Sequence, residues 1–146
     1  LDNRKIPFDR IDHAPTYTAQ TLAQAVHVAG QEVAKTVLLA VDDNFIVAVL
    51  PATHNVDVLL VATFLAAKRV DIADEDDVAE RFSDCELGVI PPFGSKYGLR
   101  TLVDKALLND EYIVFEGNTH HEAIRMRCED YVALEDPILY EFSHHV

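Results

Sequence analysis

The sequence predicts an α/β fold, a single domain in which a mixed, mostly antiparallel sheet is flanked by helices. Three observations carry this expectation. Apolar runs rich in Val, Leu and Ile, such as TVLLAVD and NFIVAVLPA, have the length and composition of strands. They are interspersed with segments whose apolar residues recur at helical spacing, such as TAQTLAQAVHV and NVDVLLVATFLAAKR. The two kinds of segment do not alternate strictly, which argues against a purely parallel sheet. With 146 residues, 49% of them hydrophobic, the chain can bury one core without staples, and residues 1–146 are expected to form one domain.

Element by element, residues 18–28 carry Leu22, Ala25 and Val26, continued by Ala29, at helical spacing behind Thr16 or Thr18 as a cap. TVLLAVD and NFIVAVLPA are separated by Asp42, Asp43 and Asn44 and read as a hairpin. Residues 55–69 follow as a helix with an apolar stripe and a basic end, the sign that suits its dipole. RVDIA is a short strand and DEDDVAERFS a short acidic helix. The stretch GVIPPFGSKYG, 88–98, is a stiff loop, because two successive prolines lack N–H donors and fix their φ angles. LRTLVD, EYIVFEG and EAIRMRC read as three further strands, and EDYVALE as a last helical turn. No internal repeat, linker or low-complexity segment interrupts the pattern.

The net charge of −13 argues against a long phosphate-tracking groove, which needs many Lys and Arg together, and DNA is not expected as a partner. The charge is unevenly placed: residues 71–86 hold eight acidic residues against Arg81, the pattern of a solvated helix face. A smaller contact with nucleic acid elsewhere remains compatible with it. Cys85 and Cys128 are too few and too far apart for a disulfide framework or a zinc site. No leader and no apolar run of membrane-spanning length is present, so a cytoplasmic protein is expected, with no membrane partner. The chain opens on Leu1 and not on methionine, which leaves room for native residues ahead of it.

No Walker loop, G-x-S-x-G elbow, H-E-x-x-H or paired C-x-x-C occurs, so the standard nucleophile and metal signatures are missing. Isolated candidates remain. Lys35, at the mouth of an apolar strand, is either a strand-end lysine whose stem lies along the core edge or a cation held at a pocket rim for a phosphate or carboxylate. The 88–98 loop is either a stiff connection or a cradle whose N–H groups near Gly88 and Gly94 face a developing oxyanion. His13 suits capping or packing, and His120-His121 suits a surface pair, since no matching ligand spacing accompanies it. Asp104 is either a general base or a turn cap.

The order AKTVLL, AVLPATHNVDVLLVATFLAAKRVDIA, ELGVIPPFG, TLVDKAL resembles the YbaK-type family, which includes the editing domain inserted in bacterial prolyl-tRNA synthetases. The resemblance spans about His13 to about Tyr131. It rests on Lys35 at a strand start and on a G-x-x-x-P loop, here Gly88-Val89-Ile90-Pro91-Pro92. It implies aminoacyl-tRNA deacylation in trans: hydrolysis of the ester that joins a wrong amino acid to the 3′-terminal adenosine of a tRNA. The implied substrate is a small amino acid on tRNA for proline, with a prolyl-tRNA synthetase as a possible partner. The implied chemistry uses a water assisted by the substrate's ribose hydroxyl, with neither cofactor nor metal. Lys35, Gly88 and Pro92 are the implied catalytic positions, Lys35 contacting phosphate or ribose and the loop holding the oxyanion. Thr36, Ile90, Phe93, Gly94, His121 and Glu122 are the implied substrate-binding positions. Lys35, Lys68, Arg69, Lys96 and Arg100 would suffice to grip a single-stranded CCA end. Some relatives have an aspartate where this chain reads Glu122-Ala123-Ile124, which leaves the amino acid open. The bulk of Ile90 and Phe93 suits a cavity for small side chains. The alternative is a non-catalytic module that recognises a tRNA end or a nucleotide beside a synthetase.

Overall fold

The computed structural model describes residues 8–12, 33–84, 90–116 and 122–145. Strand β1 (Phe8–Asp12) is followed by the hairpin of β2 (Ala34–Val41) and β3 (Asn44–Pro51), which pair antiparallel from Ala34↔Pro51 to Val41↔Asn44. Asp42 makes the turn by adopting a left-handed φ of 52°, a conformation that Asp tolerates better than most residues. Its carboxylate accepts the backbone N–H groups of Lys68 (3.0 Å) and Arg69 (2.9 Å). That clasp brings β5 (Val70–Ile72) alongside the end of β2, where Val41 faces Val70.

The apolar segment at 55–69 is a shorter helix than its periodicity predicts. Residues His54–Val56 form strand β4, and helix α1 spans Val58–Leu65. Asp57 sets the start, its carboxylate accepting the N–H groups of Leu59 and Leu60 at 3.1 Å each. Ala66, at φ 53°, sets the end, which leaves Lys68 and Arg69 outside the helix. The acidic helix α2 (Glu75–Arg81) is capped by Asp74, which accepts the N–H of Asp77 at 2.9 Å. It buries none of its residues, so its charge is solvated.

A 3-10 turn at Gly94–Tyr97 leads into β6 (Arg100–Asp104), and a second at Lys105–Asn109 leads into β7 (Tyr112–Glu116). Strand β8 (Glu122–Arg127) runs directly into helix α3 (Cys128–Glu135), two turns long where the sequence suggests one. Strands β9 (Ile138–Tyr140) and β10 (Ser143–His145) complete the chain. With β1 and β4, they are elements that the sequence pattern does not announce. The helix expected at 18–28 and the residue Cys85 lie outside the described residues.

The main sheet is mixed and five-stranded, in the order β5-β2-β3-β6-β9, with β3–β6 and β6–β9 parallel. A three-stranded antiparallel sheet, β1-β8-β7, and the antiparallel pair β4–β10 accompany it. Strand β3 is buried on both faces, which is why it reads as a continuous apolar run. Val47 and Val49 enter a core shared with Ile113, Phe115, Ile124 and Met126 of the smaller sheet and Tyr131 of α3. Ile46, Ala48 and Leu50 enter a second core with Val61 of α1, Leu102 and Phe142. Cys128 is a buried thiol in the first core, donating to the Leu107 carbonyl at 3.5 Å. No helix among the described residues is long and apolar enough to cross a membrane.

Candidate functional site

Lys35 is the second residue of β2 and stands opposite Leu50 in the ladder. The alternation of side chains puts it on the face of Val37 and Leu39, the face of the second core. Its position at the strand start lets the ammonium leave that apolar surface, and Nζ donates to Asn55 Oδ1 at 3.3 Å. Partial burial lowers the Lys35 pKa below the ordinary lysine range. Among the described residues no carboxylate pairs with it. An ammonium carries three donors, so one neutral acceptor leaves capacity for an anion.

Asn55 belongs to β4, whose place is fixed by β10 through His54↔His145, Asn55↔His144 and Val56↔Ser143. Behind this pair stands Asp104, 2% exposed, at the end of β6. Its carboxylate accepts the N–H groups of Ala106 (2.8 Å) and Phe142 (3.0 Å) and the hydroxyl of Ser143 (2.5 Å). Because the Ser143 hydroxyl donates its hydrogen bond to Asp104, its Oγ is the acceptor for His54 Nδ1 at 2.9 Å, which assigns the hydrogen to Nδ1. Asp104 is therefore a cap and an anchor, the second of the two roles its sequence context allows. At the other side of the pair, His144 Nε2 lies 2.9 Å from Asp57 Oδ2. The hydrogen bond from His144 and those from the helix start hold the Asp57 carboxyl below its usual pKa.

The loop at 90–97 is anchored to α3. Pro91 and Pro92 are buried, and the Pro92 carbonyl accepts the Tyr131 hydroxyl at 2.6 Å. Burial, then the nearby Glu135 charge, raises the Tyr131 pKa well above its usual value, so this donor keeps its proton. Phe93 packs edge-on to both Phe115 and Tyr131, with ring centroids 5.5 and 5.3 Å away. Gly94 donates its N–H to Thr101 Oγ1 at 2.9 Å, and a Cβ at this position would meet that oxygen at 2.6 Å. Glu135, 8% exposed, accepts Ser95 N (3.1 Å), Ser95 Oγ (2.6 Å) and Thr101 Oγ1 (2.5 Å).

Thr36 faces Val49, on the side of the main sheet where Ile90 and Phe93 pack, whereas Lys35 and Asn55 lie on the opposite side. Glu122 opens β8 opposite Asp12. Gly88, His121, His13 and His120 lie outside the described residues. Of the surface cations, Arg69 pairs with Asp71 at 2.6 Å and Lys96 with Asp84 at 3.5 Å, while Lys68 and Arg100 make no ion pair among the described residues. Arg100 lines an open cleft of about 450 Å³ with Phe45, Arg81 and Leu99, at the Val41 end of β2. That cleft is roughly 20 Å from Lys35 at the usual rise of about 3.3 Å per strand residue. No group of three or more His, Cys, Asp or Glu among the described residues is arranged to hold a metal ion.

Asn55, His54, Ser143, Tyr131 and Glu135 have no motif to mark them in the sequence. The one usable signal is polarity out of place, since THN interrupts an apolar stretch between a strand and a helix.

Comparison with known proteins bears on the family and the fold. Residues 13–134 match the aminoacyl-tRNA editing domain. The chain is 25% identical over 118 residues to a proline–tRNA ligase of Bacillus subtilis (strain 168), covering 78% of this chain and only 21% of the length of that protein. A solved structure described as a proposed trans-editing enzyme for prolyl-tRNA synthetase superposes with a TM-score of 0.83 at 18% identity, over 94% of this chain and 87% of that one. The hypothetical protein APE2540 superposes with a TM-score of 0.89 at 17% identity, over 98% of this chain and 95% of that one. At these identities the structural likeness speaks to the fold, and the match over 13–134 speaks to descent. The match over residues 13–134, on an α/β fold with a mixed five-stranded sheet, shows that this chain belongs to the aminoacyl-tRNA editing domain family.

Proposed function

We propose that this chain is an aminoacyl-tRNA deacylase acting in trans in the cytoplasm, folded as one domain over 1–146. Its proposed substrate is the ester between a small, wrongly attached amino acid and the 3′-terminal adenosine of tRNA for proline. The observation that carries this reading, beside family membership, is Lys35: a partly desolvated ammonium whose one partner among the described residues is the neutral Asn55, held at the opening of a strand.

In this reading the terminal nucleotide lies across the opening of β2, where β5 does not pair with that strand. Lys35 grips its phosphate or ribose on one side of the strand, with Asn55 fixing the direction of Nζ, and the ester is presented on the other side, that of Thr36 and the loop. A water molecule adds to the ester carbonyl, and backbone N–H groups of the loop at Gly88 receive the negative charge that develops on the carbonyl oxygen. Collapse of the tetrahedral intermediate breaks the bond to the ribose oxygen. The amino acid and a tRNA with a free 3′-terminal hydroxyl are released, the proton lost by the water passing to the departing ribose oxygen. Thr36, His121 and Glu122 are proposed to line the amino-acid cavity. Pro92, Phe93 and Gly94 are proposed to act through the loop, since the first two are packed into the core and the third has no room for a side chain. A prolyl-tRNA synthetase is the proposed protein partner.

The test is hydrolysis of a panel of purified aminoacyl-tRNAs, including alanyl-, cysteinyl- and seryl-tRNA for proline, with and without chelator. Turnover that survives the chelator supports the proposal and identifies the amino acid. Binding without turnover of any member would replace it with a recognition module for tRNA ends.

A further inference from the structure

We infer that one face of α3 is a clamp that positions the Pro-Pro loop, and that Glu135 and Thr101 are positioning residues for the reaction proposed above, on which this inference rests. Tyr131 and Glu135 are four residues apart, so they project from the same side of the helix. From that side Tyr131 holds the Pro92 carbonyl, and Glu135 holds the N–H and hydroxyl of Ser95. Thr101 fills the gap, accepting from Gly94 and donating its only proton to Glu135.

The direction of every hydrogen bond in this cluster of Gly94, Ser95, Thr101 and Glu135 is fixed, because a carboxylate accepts only and backbone N–H groups donate only. A buried carboxylate with no cation beside it among the described residues is a poor choice for stability alone, since apolar residues of similar volume would fill the space at less cost. It is well suited to holding backbone in one orientation. In sequence the loop it holds follows directly on Gly88, the donor proposed above for the oxyanion. The strand that precedes α3 without a break begins at Glu122, so the same helix ties the loop to the other proposed wall of the cavity.

The experiment uses the whole chain with Thr101→Val, Thr101→Ser, Glu135→Gln and Ser95→Ala, assayed below the melting temperature of each on the aminoacyl-tRNA that the wild type hydrolyses best. Misplacing preorganised donors costs rate rather than affinity. Thr101→Val and Glu135→Gln are expected to lose kcat by roughly ten- to a hundredfold with KM little changed. Thr101→Ser, which keeps the hydroxyl, restores the rate, and Ser95→Ala, which keeps the backbone bond, gives a smaller loss. In parallel, amide hydrogen exchange at Gly94 and Ser95 is expected to speed up in Thr101→Val and Glu135→Gln. Unchanged exchange overturns the clamp whatever the activity. Faster exchange with an unchanged kcat, or a loss confined to KM, overturns its role in catalysis. If Glu135→Gln does not fold, the isosteric Thr101→Val and its Ser counterpart decide. A wild type that hydrolyses no member of the panel removes the deacylase reading, and the clamp then stands or falls on exchange alone.

Discussion

Replacing Asp104 by alanine removes the acceptor on which the C-terminal segment is hung. Among the described residues, three hydrogen bonds end on this carboxylate, from Ala106 N, Phe142 N and Ser143 Oγ. Bonds to a charged acceptor are worth about 1.5 kcal/mol each at the low end, so their sum is roughly 4–5 kcal/mol. Removing the buried charge returns part of its desolvation cost, and the net loss is about 2–4 kcal/mol. For a domain of this length each kcal/mol moves the melting temperature by roughly 2–4 °C, so Asp104→Ala is expected to melt roughly 5–15 °C lower in a calorimetric or circular-dichroism scan. Asp104→Asn, which keeps one acceptor oxygen, should fall between. The loss should be accompanied by a weaker hold on substrate, because Ser143 links Asp104 to His54, the neighbour of Asn55. A melting temperature within about 2 °C of wild type for Asp104→Ala would refute the reasoning.

Gly94→Ala should destabilise by about 1–3 kcal/mol, since its Cβ would meet Thr101 Oγ1 at 2.6 Å and that oxygen is already locked to Glu135. An unchanged denaturant midpoint would show that the loop has slack. The Lys35 ammonium should titrate below the ordinary lysine range in a side-chain NMR titration, because its burial disfavours the charged form. Its folded-state pKa lies below the unfolded one, so its contribution to stability rises with pH through the window between them. Asp57 works with the same sign at the acid end: its depressed pKa makes a contribution that is full above the unfolded value and is lost as pH falls through the folded one. Asp57→Asn should therefore flatten the acid limb of a stability-against-pH curve, and an unchanged limb would assign acid unfolding to other groups.

What was legible in the sequence was what local chemistry determines. Alternation and length gave the β2–β3 hairpin and its turn, and Asp74 with the acids that follow gave α2. Lys35 stood out because a charge at the mouth of an apolar strand needs a reason. Residues 55 and 56 read as helix because their apolar neighbours continue the helical period, while the choice between strand and helix is made by Asp57 and by pairing with β10, whose His144 lies 87 residues beyond Asp57. The short strands β9 and β10 have too few residues to show a period and exist through long-range partners. Glu135 reads as a solvated charge at the end of a short helix. Its burial follows from the approach of Ser95 and Thr101, and nothing in the local sequence foretells that approach. The family resemblance drew on the ordered motifs, and the match over 13–134 bears it out.

The central claim is that Lys35 holds the end of an aminoacyl-tRNA for hydrolysis. The measurement that tests it most directly is the release of amino acid from a mischarged tRNA for proline under single-turnover conditions, comparing wild type with Lys35→Ala at matched folded fraction. The account predicts hydrolysis by the wild type above the spontaneous rate and loss of that excess in Lys35→Ala. Equal rates for the two proteins would contradict it.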